Sequence, residues 1–423
     1  MLQFIVTFNL ALFIFFTLSY LYQIFYAVIG VVRRPQQPAQ AMKNHRYAVL
    51  IAARNERAVI AELIDSIKKQ NYPRELLDIF VIADNCTDDT AAVARRAGVT
   101  AVYERFNHVQ VGKGYALDHM LKGIARDYGD DAYEGYFVFD ADNLLDENFV
   151  CEMNKCFDQG HRVLTSFRNS KNFASNWISA GYSLWFMRES RYLNYPRMRL
   201  GTSCAISGTG FLVHNDIIRK NNGWKHHLLT EDIEFSVDCV INGETIGYCP
   251  TAVLYDEQPC TWSQSWSQRL RWAKGFYQVF GRYHKKLIYG FAVKRQFACY
   301  DMFMTIAPAL FISLTSVIVN GVFLLTALLG SDVAPNMVSV ATDAIFASIF
   351  NFYMALFLFG LLTTITEWKK IHASAYKKIF YVLTFPIFIF TYVPISIVAL
   401  FKKIHWSPIT HSINRAIEDM VHQ

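Results

Sequence analysis

The chain has 423 residues, 53% hydrophobic and 18% charged, with 41 Lys+Arg, 35 Asp+Glu and a formal net charge of +6. The charge is uneven: residues 33–295 hold 34 of the basic and 29 of the acidic residues, which leaves both ends nearly uncharged. This excludes a disordered chain, a secreted disulfide scaffold and a simple cytosolic enzyme, and points to a water-soluble middle between lipid-facing ends.

Residues 1–32 carry no charge, and roughly 20 apolar residues span a bilayer, so this stretch predicts a tilted amino-terminal transmembrane anchor. It has neither the basic start nor the small-residue cleavage site of a removed signal, and Arg33-Arg34 directly after it put the next domain on the cytoplasmic side. From residue 47 apolar runs alternate with helical patterns. Residues 47–53 read as a strand, 56–70 as a helix with Ile60, Leu63, Ile64 and Ile67 on one face, and 77–83 as a strand. A helix over 87–97 with Thr87 as cap, a strand over 99–103, a helix over 114–126 and a strand over 135–139 follow.

Such alternation predicts an α/β domain on a mostly parallel sheet with helices on both faces. Ligands of these sheets bind beyond the carboxyl ends of the strands. The residues there are Arg54-Asn55-Glu56, Asp84-Asn85 and Asp140-Ala141-Asp142. No G-x-G-x-x-G or G-x-x-x-x-G-K-[ST] follows the first strand, which argues against dinucleotide and P-loop chemistry.

Further motifs each allow a plain and a chemical reading. Asp140 and Asp142 are either solvated strand-end acids or joint ligands of a divalent cation on a phosphate. Lys113, in Gly112-Lys113-Gly114, is either solvated or at a phosphate. Ser207-Gly208-Thr209-Gly210 is a strand turn or a close backbone approach to substrate. Thr230-Glu231-Asp232 opens a predicted helix, with Thr230 as cap and acids in the first turn, or with a carboxylate serving as general base. Residues 262–290 interleave Trp262, Trp266, Trp272, Phe276 and Phe280 with Arg269, Arg271, Lys274 and Arg282. That is the pattern of an interfacial amphipathic helix; arginines there also suit a diphosphate, and a tryptophan face suits a sugar ring.

The eight cysteines show no C-x-x-C or zinc spacing and read as reduced packing residues. Apolar runs follow near 302–329, 344–365 and 379–401. A full crossing by the last would put Lys402, Lys403 and the tail outside, and Pro386 and Pro394 interrupt it, so a re-entrant or interfacial segment is expected there. The chain thus divides into an anchor (1–32), a cytosolic domain (33–261), an amphipathic interfacial segment (262–298), transmembrane or re-entrant segments (299–401) and a cytosolic tail (402–423).

In this order the motifs resemble family-2 glycosyltransferases, specifically the membrane-embedded processive cellulose, chitin, hyaluronan and poly-N-acetylglucosamine synthases. The resemblance covers roughly 47–290 and rests on Ala53-Arg54-Asn55-Glu56, Asp84, Lys113, Asp140-Ala141-Asp142, Thr230-Glu231-Asp232 and Gln268-Arg269-Leu270-Arg271-Trp272. It implies a GT-A nucleotide-sugar domain beside a helical transmembrane bundle with interfacial amphipathic helices. It also implies donor contacts from Ala53, Asn55, Glu56, Asp84, Lys113 and Asp140, with Gln268, Arg269 and Arg271 on the pyrophosphate. Asp140 and Asp142 would hold Mg²⁺ or Mn²⁺. Asp232 would be the base, supported by Glu231, and Trp272, Gly208, Thr209 and Thr230 would meet the acceptor.

The implied activity is inverting, processive polymerisation of a UDP-hexose, glucose ahead of N-acetylglucosamine, into a β-glycan exported through the plasma membrane, with accessory export subunits as possible partners. The alternatives are addition of one sugar to a lipid and an inactive membrane scaffold. Trp406 opens a tail element similar to a W-x-x-T-x-R-like motif that is cytosolic in such enzymes, though here Thr410 is one residue late and Ser412 replaces the basic residue. Fifteen of the 41 basic residues lie in 33–46, 282–295, 367–378 and 402–403 against one acid, Glu367. The net charge therefore marks a membrane collar and not a nucleic-acid partner.

Overall fold

The structure, a computed structural model, describes residues 2–33, 35–307, 309–329, 335–404, Trp406 and Ile417. An apolar helix α1 (Leu2–Val32) leads into the domain. There β1 (Tyr47–Ala53), α2 (Ile60–Lys68), β2 (Leu77–Asp84), α3 (Thr90–Arg96), β3 (Ala101–Arg105), α4 (Lys113–Tyr128) and β4 (Gly135–Asp140) alternate. Next come β5 (Leu144–Leu145), α5 (Phe149–Asp158), β6 (Val163–Ser170), α6 (Trp177–Glu189), a π turn (Ser190–Asn194) and α7 (Tyr195–Arg199). The domain continues with β7 (Phe211–His214), α8 (Asn215–Lys220), α9 (Glu231–Ile241) and β8 (Ile246–Asp256).

The eight strands form one sheet in the order β3-β2-β1-β4-β7-β6-β8-β5. Strands β1 to β4 are mutually parallel and β6 is parallel to β8; β7 runs against both β4 and β6. The architecture is that of a GT-A fold, an α/β domain with a mostly parallel sheet. Strand β1 (YAVLIAA) is apolar throughout because both its faces are covered. Tyr47, Val49 and Ile51 meet α2 and α5, while Ala48 and Leu50 meet α4, the two-residue alternation of a strand.

The helix expected at 87–97 starts only at Thr90. Thr87 is held instead by Asn55, whose Oδ1 accepts from the Thr87 amide (2.7 Å) and hydroxyl (3.3 Å). The strand expected at 99–103 begins at Ala101, since the Thr100 amide is spent on the Ile79 carbonyl at the strand's entry.

Beyond the sheet lie α10 (Trp262–Ala292), α11 (Phe297–Ile306), α12 (Ala309–Leu329), α13 (Pro335–Thr366), α14 (Ala375–Phe390) and α15 (Tyr392–Phe401). Among the described residues, three stretches are long and apolar enough to cross a membrane: Gln3–Val32, Val338–Thr366 and Ala375–Phe401. They differ in cover. In the most apolar window of the third, 44% is buried, against 6% in each of the others.

The helix continues through Pro386 and breaks at Thr391. It touches the sheet domain and α10 at both ends and in the middle. Lys377 donates to the Ala174 carbonyl (2.8 Å), Arg269 to the Phe388 carbonyl (3.1 Å), Tyr277 to the Ser396 carbonyl (3.1 Å) and Lys274 to the Ala399 carbonyl (3.0 Å). The segment therefore lies along α6, α10 and α13, where Tyr353 donates to the Leu383 carbonyl (3.1 Å).

Candidate active site

The site forms where β1, β2 and β4 end. Lys113 begins α4, and its position depends on Gly114: a Cβ there would lie 2.0 Å from the His226 carbonyl oxygen. The close approach brings Lys113 Nζ to Asp140 Oδ1 (2.6 Å) and to the Gly208 carbonyl (2.7 Å). Burial lowers the lysine's pKa, but Asp140 and Glu231 more than offset it, so the ammonium stays charged. Gly114→Ala is expected to push α4 and Lys113 off this contact at a cost of about 1–3 kcal/mol, read as a lowered thermal midpoint in detergent.

Residues 207–210 form the floor. Gly210 has φ +66°, and a Cβ on it would meet Leu254 and Ser166, so only glycine fits. Thr209 Oγ1 accepts from the Asp140 amide (2.9 Å) and donates to Asn143. Gly208 is the point of convergence: a Cβ there would lie 3.9 Å from Asp232 Oδ2, 3.9 Å from an Arg168 nitrogen and 4.0 Å from Asp140 Oδ2.

Glu231 and Asp232 open α9, and Thr230 sits at its cap position without a side-chain cap bond. Thr230 packs against Gly275 of α10, and its hydroxyl is buried without a partner. Burial, with the Asp232 charge adding, pushes the Glu231 carboxyl up to about 7; burial pushes Asp232 up as well. Burial also lowers the pKa of Arg271, opposed by Glu231, Asp140 and Asp232, so Arg271 is the α10 arginine that faces the carboxylates. Arg269 does not join it. Fully buried, it donates through one terminal nitrogen to the Phe388 carbonyl and to Thr391 Oγ1 (2.5 Å), tying α10 to α14, while its other terminal nitrogen is buried without a partner. Gln268 keeps a buried, unpartnered Oε1. Trp272 is half-buried and meets Tyr182 and Phe186 edge-on at 5.7 and 6.1 Å.

On the opposite flank, buried Ala53 ends β1, and its carbonyl receives the Cys86 thiol at 3.6 Å. Asn55 (φ +59°) and Asn85 (φ +53°) turn the loops after β1 and β2. The Glu56 amide donates to Thr90 Oγ1 (2.9 Å). Asp84 is already engaged, paired with buried Arg105 at 2.5 Å. Trp406 returns from the tail to lie 4.9 Å from the Arg54 guanidinium and 5.9 Å from that of Arg271. Residues 407–416, which include the rest of the expected tail element, lie outside the described residues.

Three residues here carried no signal in the sequence. Arg168, at the end of β6, pairs through two nitrogens with Asp256 and donates to the Ser207 carbonyl (2.6 Å). Burial pushes Asp256 up to about 6, against the pull of Arg168. Glu189 accepts from the Ser207 hydroxyl (3.0 Å). None belongs to a local motif; each is recruited by the fold.

A divalent cation fits this donor set. Asp140 is partly exposed, its side chain 38% accessible, and offers oxygen beside Asp142, whose two oxygens accept from Asn143 Nδ2 and the Glu257 amide. Two carboxylates leave coordination positions for phosphate oxygens, as a hard cation requires.

The family profile described as "Glycosyltransferase like family 2" matches residues 45–275. Among curated proteins, the chain is 27% identical over 284 residues to the "Probable glycosyltransferase YdaM" of Bacillus subtilis (61% of each chain). It is 27% identical to a beta-monoglucosyldiacylglycerol synthase of Nostoc sp. (55% of this chain, 49% of the relative). It is 24% identical to a poly-beta-1,6-N-acetyl-D-glucosamine synthase of Staphylococcus epidermidis (54% of each). These matches span half to three fifths of the relatives' lengths. Among solved structures, the mannosyltransferase PcManGT of Pyrobaculum calidifontis, in complex with GDP-Man and Mn²⁺, aligns with TM-score 0.59 and 16% identity over 95% of this chain and 99% of that one, a likeness of fold. With more than half of its length matched, and the sheet and strand-end carboxylates described above, the chain belongs to glycosyltransferase family 2.

Proposed function

We propose that the protein is an inverting hexosyltransferase that uses a UDP-hexose, and that its acceptor is borne by the membrane. The observation that carries this reading is the convergence of Asp232 and Asp140 on Gly208, with Lys113 and Arg271 beside them. Asp232 takes the proton of the acceptor hydroxyl as its oxygen attacks the anomeric carbon. The bond from that carbon to the diphosphate breaks, and UDP leaves with the electron pair. Lys113 and Arg271 offset the charge that develops on the leaving group. A divalent cation on Asp140 and Asp142 would add Lewis-acid stabilisation of the same charge. Glu231 holds the field around the base, and Ala53, Asn55, Glu56 and Asp84 border the nucleotide side. Trp272 offers a ring face to the acceptor, with Gly208, Thr209 and Thr230 around it.

Two products fit this site. Chain growth is favoured by the Q-x-x-R-W element and by the match to a poly-N-acetylglucosamine synthase. Transfer of one sugar to a glycerolipid is favoured by the match to a monoglucosyldiacylglycerol synthase. In either case α1, α12 and α13 cross the bilayer, the Ala375–Phe401 segment is re-entrant or interfacial, and the catalytic domain faces the cytoplasm. An incomplete crossing by that segment is supported by the contacts at both its ends and by Trp406 beside the active site.

The test is a UDP-release screen across UDP-sugars with purified protein, Mg²⁺ or Mn²⁺ and lipid, followed by product sizing. A size ladder identifies a polymerase and one lipid-linked sugar identifies a glycolipid synthase. Absence of UDP release with every donor overturns the reading.

A further inference from the structure

Glu189 is a carboxylate that the transfer chemistry above leaves unused. It ends α6, immediately before the π turn Ser190–Asn194, a helix irregularity frequent at functional sites. Its Oε2 accepts from the Ser207 hydroxyl at 3.0 Å. No salt bridge reaches it among the described residues; the nearby arginines make their close contacts elsewhere. Arg168 is held by Asp256, Arg197 by Asp301, and Arg188 lies over the rings of Trp185 and Phe359. Arg188, Arg197 and Arg168 offset its charge only at longer range, and its one hydrogen-bond partner, Ser207, belongs to the loop on which the catalytic carboxylates converge.

The surroundings define what it would hold. Phe186, one turn earlier on α6, meets Trp272 edge-on, and Arg168 lies over the same Phe186 ring at 3.7 Å. The carboxylate and the Ser207 hydroxyl thus stand on the Phe186 side of the space that the Trp272 indole borders. A ring face together with a carboxylate that accepts from hydroxyls suits a neutral polyol and repels a phosphate.

We propose that Glu189 is an acceptor-binding residue that accepts a hydrogen bond from a hydroxyl of a neutral polyol, a sugar ring or a glycerol backbone, held between Ser207 and Trp272. Its charge selects against acceptors that present a phosphate at the reacting end, such as polyprenyl phosphates. This rests on the transferase reading above.

The experiment uses the full chain in detergent with the donor found by the release screen. Acceptors are a β-linked oligosaccharide, diacylglycerol and a polyprenyl phosphate, and the variants are Glu189→Ala, Glu189→Gln and Ser207→Ala. Glu189→Ala is expected to raise the KM of the neutral acceptor at least about tenfold, the loss of a charged hydrogen bond, and the donor KM by less than about twofold. Ser207→Ala is expected to fall between wild type and Glu189→Ala. Glu189→Gln, equal in shape, is expected to narrow the discrimination against polyprenyl phosphate. The relative response to oligosaccharide and diacylglycerol tells which source of polyol is used. An unchanged acceptor KM in Glu189→Ala and Glu189→Gln, or wild-type transfer to polyprenyl phosphate as efficient as to the neutral acceptors, overturns the inference alone. A wild type that consumes no donor overturns the transferase reading beneath it.

Discussion

Replacing Asp232 by asparagine is expected to lower sugar transfer by about 10³-fold, the contribution of a positioned general base, while donor KM changes little. Asn keeps the shape of the side chain beside Gly208 and removes its capacity to take a proton. The pH profile of wild type should report the same pair of acids. Burial, with the Asp232 charge adding, raises Glu231 to about 7, and burial raises Asp232 above its ordinary value. Asp232 must be ionised for base catalysis, so kcat/KM is expected to fall as pH decreases through its raised pKa.

The sign for stability is the opposite. A carboxyl whose pKa is raised by folding stabilises the fold below its unfolded value, and that contribution is lost as pH rises through the folded value, here about 7 for Glu231. At neutral pH the pair is therefore destabilising, and Asp232→Asn should raise the thermal midpoint by about 2–4 °C as it loses activity. A variant that transfers sugar at the wild-type rate refutes the base assignment.

Removing the Asp301 carboxylate is the substitution expected to damage the fold most. Asp301 and Arg197 are each 1% exposed and form a two-point pair, Nε to Oδ2 at 2.8 Å and a terminal nitrogen to Oδ1 at 2.6 Å. Tyr26 and Tyr22 of α1 donate to the same carboxylate at 2.8 and 3.2 Å, and Thr305 accepts from Arg197 at 2.9 Å. The network joins α1, α7 and α11, so it locks the amino-terminal apolar helix to the catalytic domain. Asp301→Ala leaves a buried guanidinium, the buried Tyr26 phenol and the half-buried Tyr22 phenol without their acceptor. The expected cost is about 3–5 kcal/mol, seen as a large fall in thermal midpoint in detergent. Replacing both partners by apolar residues, Arg197→Met with Asp301→Leu, is expected to recover most of it, since no uncompensated charge remains. A single variant as stable as wild type would show that α1 is held by its apolar contacts alone.

The tertiary structure redistributes roles among residues that look alike in sequence. Arg269 and Arg271 stand two apart in one basic, aromatic helix, so composition treats them alike; half a helical turn separates them, and one faces α14 while the other faces the carboxylates. Asp84 and Asp140 both end parallel strands, yet Asp84 is paired with buried Arg105 and Asp140 with Lys113. Thr87 has the composition of a helix cap but is captured by Asn55 from another loop, which delays α3 to Thr90.

The sequence by itself determines the strands β1, β2 and β4, the amphipathic character of α10 and the lipid-like ends, because period and hydropathy are properties of neighbouring residues. It also determines where to look, since acids at the ends of parallel strands follow from the alternation alone. Only the tertiary structure decides that Arg168 and Glu189 reach Ser207 and that Arg269 bonds to α14. It alone decides that the Ala375–Phe401 segment rests on α6, α10 and α13. Each of these depends on a partner far along the chain: Arg269 and Phe388 are 119 residues apart, and Arg168 and Asp256 are 88 apart. A buried charge takes its role from the group that compensates it, and no local pattern names that group.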